Sequence, residues 1–181
     1  MATEREEMTI QEVKDSDPVY DGQTGLKFVH VGADQAVAYI TRLRDVQGYT
    51  HLVFFTAIDY IEDSIFRLTY MVHNYASRQD LGVQVDIPRQ GATMESIHHL
   101  WPHAATYQRE LKEMFGIDFP GSPGVDDSFI LEGWTGIPPM RREFDTKLYS
   151  EQTYFPRPGR VTHDTAAYMK EKLYPSEAET W

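Results

Sequence analysis

Cysteine is absent from this 181-residue chain. That excludes disulfides, thiol nucleophiles, Cys-ligated zinc and any iron–sulfur cluster held by the chain itself. Basic residues are scarce: 17 Lys and Arg stand against 28 Asp and Glu, a net charge of −11. A nucleic-acid binder needs a concentrated basic face, and no basic run occurs, so DNA and RNA are excluded as partners. Long apolar runs are missing too. Stretches such as Leu52–Phe55 fall far short of the roughly 18 residues a membrane-spanning helix needs. Met1–Met8 is acidic and polar, without the basic start or apolar stretch of a signal peptide. Neither GxGxxG nor GxxxxGK[ST] occurs, so no phosphate cradle is expected. The length suits one domain plus an extension, and a soluble, cytoplasmic protein is expected.

What is present begins with an acidic arm. Met1–Tyr20 carries six acids against two bases, too polar to offset its ordering entropy, and residues 1–24 are expected to form a loose segment. Leu26–Val31 reads as a short strand. Asp34 is placed to cap a helix through Val37, Ile40 and Leu43 that Gly48 stops. His51–Asp59 is apolar on both faces, which predicts a central strand. Ile65–Tyr75 and Gly82–Ile87 alternate in the manner of half-buried strands. The connections between these three are too short for crossover helices, so they should pair antiparallel as a meander.

A helical stretch near Thr93–Leu100 is followed by a stronger helix from Ala104 to Phe115. There Tyr107, Leu111, Met114 and Phe115 form one stripe, and Gly116 is placed to end it in a left-handed cap. The fold class is therefore α+β: an antiparallel β-meander sheet packed with helices, followed by an irregular, extended C-terminal tail. The expected organisation is an arm (1–24), an α+β domain (25–120) and an extended partner-binding segment (121–181). The last 37 residues carry Tyr149, Tyr154, Phe155, Tyr168, Tyr174 and Trp181, and one helix is expected there, from Thr162 or Asp164 to Leu173. Aromatic residues on an extended segment need a surface to dock against, either on this chain or on another polypeptide.

Two constellations could carry chemistry. His98, His99 and His103 cluster, and the last two have a spacing that can ligate zinc on one helix face. Pro102 interrupts that helix, and no Glu follows His99 as in HExxH. A stand-alone metal-dependent enzyme using these histidines is the alternative they leave open. Glu110 and Glu113 are three apart with no nucleophile nearby, and Arg109 and Lys112 offer them ordinary ion-pair partners.

The block Tyr107–Phe119, YQRELKEMFGIDF, resembles the signature helix of the 30 kDa subunit family of respiratory complex I, the NuoC-type subunit. Arg109, Glu110, Met114, Phe115, Gly116, Ile117, Phe119 and Gly121 match its pattern. A second block, Gly136–Phe144 (GIPPMRREF), resembles the family's later element through Gly136, Pro139, Arg141, Arg142, Glu143 and Phe144. Members of the quinone-reducing type often read GHPxLRR after the first block. Here Gly121–Asp127 reads GSPGVDD, a departure that points toward a coenzyme-F420-type dehydrogenase or a group 4 membrane-bound, energy-converting hydrogenase.

The resemblance implies a scaffold with no catalytic residues, cofactor or metal of its own. It implies packing on the large hydrogenase-like subunit and near the small iron–sulfur subunit, with the membrane reached only through the complex at its inner face. Electron transfer toward a quinone-like acceptor or protons, coupled to ion pumping, would belong to the complex. The expected subunit-interface residues are Arg109, Glu110, Glu113 and Gly116 on the helix and its turn. Arg141, Arg142 and Glu143 in the second motif, and Tyr149, Tyr154 and Phe155 in the tail, complete the set. A transient assembly factor is a third reading.

Overall fold

A computed structural model describes residues 19–20 and 25–154, which fall into two compact units, one running through Arg142 and the other starting at Glu143. The first unit contains β1 (Val19–Tyr20), β2 (Lys27–His30), α1 (Ala36–Asp45), β3 (His51–Tyr60), β4 (Ile65–Asn74), β5 (Gln79–Pro88) and α2 (Ala104–Phe115). The second contains α3 (Thr146–Tyr154).

The five strands form one mixed sheet in the order β1-β2-β5-β4-β3. The expected meander is present, since β3 pairs antiparallel with β4 and β4 with β5. To it the fold adds β2, parallel to β5 and reached through the crossover that carries α1, and β1, antiparallel to β2. Residues 19–20, inside the segment expected as a loose arm, are therefore part of the sheet. Asn74 closes the β4–β5 turn by accepting the N–H of Ala76 at 2.9 Å and of Ser77 at 3.1 Å.

One sheet face carries the core. Leu52, Phe55 and Ala57 of β3 meet Phe66, Leu68, Tyr70 and Val72 of β4 and Leu81, Val83, Val85 and Ile87 of β5. Ile40 and Leu43 of α1 and Leu111 and Phe115 of α2 pack into the same cluster. Phe55 stacks on Tyr70 at 4.1 Å and meets Phe119 edge-on at 5.6 Å.

Three expectations are corrected. β3 is an edge strand and β4 the inner one, so the second apolar face of β3 (Val53, Phe54, Ile58) is partly exposed. The open carbonyls at the start of this edge are taken by side chains. Trp101 Nε1 donates to Thr50 O at 2.8 Å, and Tyr107 Oη donates to Val53 O at 3.2 Å. His103 Nε2 lies 3.2 Å from Leu52 O. Such capping blunts an edge against further pairing. Second, 93–100 forms no helix. Thr93 bridges to Asp118, 94–97 have no regular structure and 98–100 form a turn, while Met94, Ile97 and Leu100 reach the core. Third, Asp34 does not cap α1, whose N-cap is Gln35 with no side-chain cap bond.

In the second unit, Asp145 starts α3. Its Oδ1 accepts the Leu148 N–H at 2.8 Å, and its backbone oxygen accepts the Tyr149 N–H at 3.0 Å. This helix was not anticipated, although an aspartate at such a position is a start signal. The helix expected from Thr162 or Asp164 to Leu173 lies outside the described residues.

Candidate functional site

The charged flank of α2 and the irregular segment 125–142 meet in a set of clamps. Glu113, at the solvent side of α2, accepts three successive backbone N–H groups, from Phe129 at 2.6 Å, Ile130 at 2.8 Å and Leu131 at 3.0 Å. Burial pushes its carboxyl up, but these donors and the charge of Arg109 outweigh burial and hold it below the ordinary glutamate value. A segment rich in Gly and Pro has little regular structure in which to spend its amides, so one carboxylate collecting three of them fixes its course. Lys112 gathers two acids, Asp118 at 2.8 Å and Asp126. Its ammonium pKa is raised by the hydrogen bonds to both.

At the C-terminal end of α2, Gly116 adopts φ 74°, the left-handed cap expected from the sequence. Arg141 folds back over this turn and donates from Nε to Phe115 O at 2.6 Å. The Met140 N–H donates to Met114 O at 3.0 Å. The second motif therefore lies directly on the end of the first.

The other anchor is Asp59. Its side chain is 2% exposed and receives Arg89 through Nε at 2.6 Å and Nη2 at 2.8 Å. It also accepts the Arg142 N–H at 2.9 Å. Burial raises its carboxyl, yet the Arg89 fork, the Arg142 amide and the nearby guanidinium charges prevail and lower it. Arg89 and Arg141 both stand over the Phe66 ring, at 5.5 and 5.3 Å. The Arg142 side chain points outward, 55% exposed, and pairs with Glu62 at 3.1 Å.

Of the expected interface residues, Arg109, Glu113, Gly116 and Arg141 come together around the end and flank of α2, while Glu110 is half-buried on the same helix. Arg142 belongs to the Asp59 anchor. Glu143 and Tyr149 belong to the second unit, where the Tyr149 ring packs 5.5 Å from Phe144. Tyr154 is the last residue of α3, and Phe155 lies outside the described residues. The expected domain boundary at residue 120 falls inside the first unit, which continues through Arg142.

The histidines do not converge. His98 bonds Ser96 Oγ at 2.9 Å, His99 is exposed with its ring edge-on to that of His98 at 6.1 Å, and His103 faces the edge of β3. Among the described residues no three His, Asp or Glu side chains gather into a group that could hold a metal.

Sequence reasoning missed two buried groups. One is Asp59, although it shares core-facing parity with Phe55 and Ala57. The other is Gln108, fully buried on α2, whose Oε1 accepts Ser96 Oγ at 2.8 Å and Ser122 Oγ at 2.6 Å. The departures from the quinone-type pattern thus have partners within the chain: Ser122 serves Gln108, and Asp126 serves Lys112.

The family described as the 30 kDa subunit of the respiratory-chain NADH dehydrogenase matches residues 29–150. The chain belongs to that family. It is a subunit of the complex I-like, membrane-bound oxidoreductase kind, and both motif blocks lie within the matched span. The C subunit of NADH-quinone oxidoreductase from Moorella thermoacetica is 32% identical over 114 residues, covering 63% of this chain and 76% of that one. The C/D subunit of NADH-quinone oxidoreductase from Acidiphilium cryptum is 29% identical over 126 residues, which are 64% of this chain and 21% of that much longer protein. Among solved structures, a chain of the membrane-bound sulfane sulfur reductase, an archaeal respiratory membrane complex, aligns with a TM-score of 0.72 at 20% identity. That alignment covers 88% of this chain and 97% of that chain, and at this identity it shows a shared fold. No helix among the described residues is long and apolar enough to cross a membrane.

Proposed function

We propose that the chain is a cofactor-free scaffold in the soluble arm of a complex I-like oxidoreductase, at the inner face of the cell membrane. It packs on the large hydrogenase-like subunit and beside the small iron–sulfur subunit, and it orders their contact without reacting groups of its own. Membership of the 30 kDa subunit family across 29–150 carries this reading. The C/D relative, in which the matched part is about a fifth of one longer polypeptide, supports close packing of this kind of chain against a second one.

The geometry supports the same reading. The strong charges near α2 hold backbone, as Glu113 and Asp59 do, and a subunit of this kind needs an irregular surface held rigid. Within that role, the helix flank and Gly116 turn, the Arg142–Glu143 junction and the tail aromatics form the contact surface.

The test is to tag the full chain in its native host, purify the complex and identify the co-purifying chains. Recovery of a large subunit and an iron–sulfur subunit in equal proportion to the tagged chain is expected. A chain that purifies alone, as a single species binding zinc or another metal with measurable turnover, would overturn the scaffold and favour the histidine-based enzyme.

A further inference from the structure

Ser96 and Gln108 form a buried polar chain that reaches the surface at His98. Ser96 Oγ donates to Gln108 Oε1 at 2.8 Å, accepts the backbone N–H of His98 at 3.3 Å and lies 2.9 Å from His98 Nδ1. Ser122 Oγ reaches the same Gln108 oxygen at 2.6 Å. Both serines are buried, and Gln108 is fully so.

The two short contacts fix which end of the amide faces the serines. Hydroxyl-to-oxygen bonds are commonly about 2.7–2.8 Å long, and bonds from N–H to oxygen about 2.9–3.0 Å. At 2.8 and 2.6 Å the group between the serines is the oxygen, whose two lone pairs take one hydroxyl each. Gln108 Nε2 is left buried without a partner among the described residues. Turning the amide round would not lift that cost. The oxygen would move to the unpartnered position, and the Ser122 proton would lose its acceptor.

A hydroxyl carries a single proton. Ser96 spends it on Gln108, so it can only accept from His98 Nδ1, and the ring must supply the hydrogen. In a neutral imidazole, a proton on Nδ1 leaves Nε2 bare. His98 is half-buried. Its Nε2 bonds to nothing among the described residues, yet it is not one of their buried unpartnered atoms, which are Tyr70 Oη, Gln108 Nε2 and Arg109 Nε. The bare nitrogen therefore reaches solvent.

We propose that Gln108 of α2 sets the proton of this surface histidine. Through Ser96 it holds the His98 ring in one orientation and as the Nδ1–H tautomer, which makes the accessible Nε2 a fixed lone pair. That nitrogen is an acceptor site for a hydrogen-bond donor, an ammonium, a guanidinium or an amide N–H, and it offers no hydrogen of its own. An imidazole surrounded by water has no such constraint, since either nitrogen can carry the proton. Gln108 acts here as a positioning residue.

The experiment is nitrogen–proton correlation NMR of the imidazole rings in the nitrogen-labelled full chain. It is run at about pH 8, where an ordinary histidine is neutral, and the His98 pattern is the one lost in His98→Gln. The wild type should carry the His98 proton on Nδ1. Ser122→Ala should keep that pattern, since Ser96 still has Gln108 as its acceptor. Gln108→Leu removes the acceptor and frees the Ser96 proton for Nδ1. The ratio of the two tautomers should then move toward Nε2–H by at least about fivefold, as an orphaned buried hydroxyl demands. Should Gln108→Leu fail to fold, Ser96→Ala decides. It removes the acceptor of the Nδ1–H, and the same shift is expected. A wild-type ring protonated on Nε2 would overturn the proposal, because Ser96 would then be giving its proton to His98. An unchanged ratio in Gln108→Leu, or in Ser96→Ala where that is the variant that folds, overturns it equally.

Discussion

Arg141 donates from Nε to the carbonyl oxygen of Phe115 at 2.6 Å, so the last turn of α2 is closed by a residue 26 positions further on. The two sequence motifs are one structural unit. The helix ends in a glycine whose left-handed turn leaves carbonyls without helical partners, and the second motif supplies a guanidinium to one of them. The neighbouring arginines have separate work: Arg141 faces inward over Phe66, and Arg142 gives its amide to Asp59 and its side chain to solvent.

Arg141→Ala should therefore destabilise the isolated chain by about 1–3 kcal/mol, through a lost charged hydrogen bond and an uncapped carbonyl. Arg142→Ala should cost under about 1 kcal/mol, since its exposed ion pair is weak and its amide stays on Asp59. Urea denaturation of both variants measures the split. Equal effects would mean that the inward and outward roles are misassigned.

Asp59→Asn removes the carboxylate charge from the Arg89 fork in a buried site, and a loss of roughly 3–5 kcal/mol is expected. The pH dependence has a definite sign. The folded carboxyl lies below its unfolded value of about 3.9 because burial, which raises it, is outweighed by Arg89 and the Arg142 amide. Its contribution is present above that unfolded value and is lost as pH falls through the lower folded one. Acid titrations of stability should show a component below about pH 4 in the wild type that Asp59→Asn lacks. Parallel curves would remove the assignment.

Some of this fold was legible in the chain, and the rest depended on distant residues. The α2 stripe and the Gly116 cap follow from local spacing and from the conformational freedom of glycine, and the meander from alternation and short connections. β3 was misplaced because two apolar faces report what a strand can bury, not where it sits in a sheet. Its outer residues Val53, Phe54 and Ile58 remain partly exposed at an edge. Met94, Ile97 and Trp101 have helix-like spacing, yet an irregular stretch followed by a turn at 98–100 brings them into the core as well. Gln108 and Asp59 could not be read locally. The Gln108 Oε1 is bonded by residues 12 and 14 positions away, and the Asp59 carboxylate by one 30 positions away.

Glu113→Ala should release the segment it holds. The amides of Phe129, Ile130 and Leu131 lose their acceptor together, so their hydrogen exchange should quicken while that of β4 stays slow. A stability loss of about 1–3 kcal/mol is expected, with Glu113→Gln intermediate because a neutral amide oxygen accepts more weakly. Unchanged exchange at all three amides would place their protection elsewhere.

The last prediction concerns Gly116 and Arg141 together. Gly116 has φ 74°, and a Cβ there would stand 3.0 Å from Arg141 Nη2 and 3.3 Å from Pro138 Cγ. Gly116→Ala should cost roughly 1–2 kcal/mol for the left-handed backbone alone, and more because the methyl displaces the guanidinium from Phe115. In Gly116→Ala combined with Arg141→Ala, the backbone cost remains but the displacement has nothing left to remove. The double variant should then be less destabilised than the sum of the singles by about 0.5 kcal/mol or more. Thermal and urea melts of the four proteins measure this coupling. Strict additivity would show that the cap glycine and the arginine act independently, and that the two motifs are neighbours in space without sharing a contact.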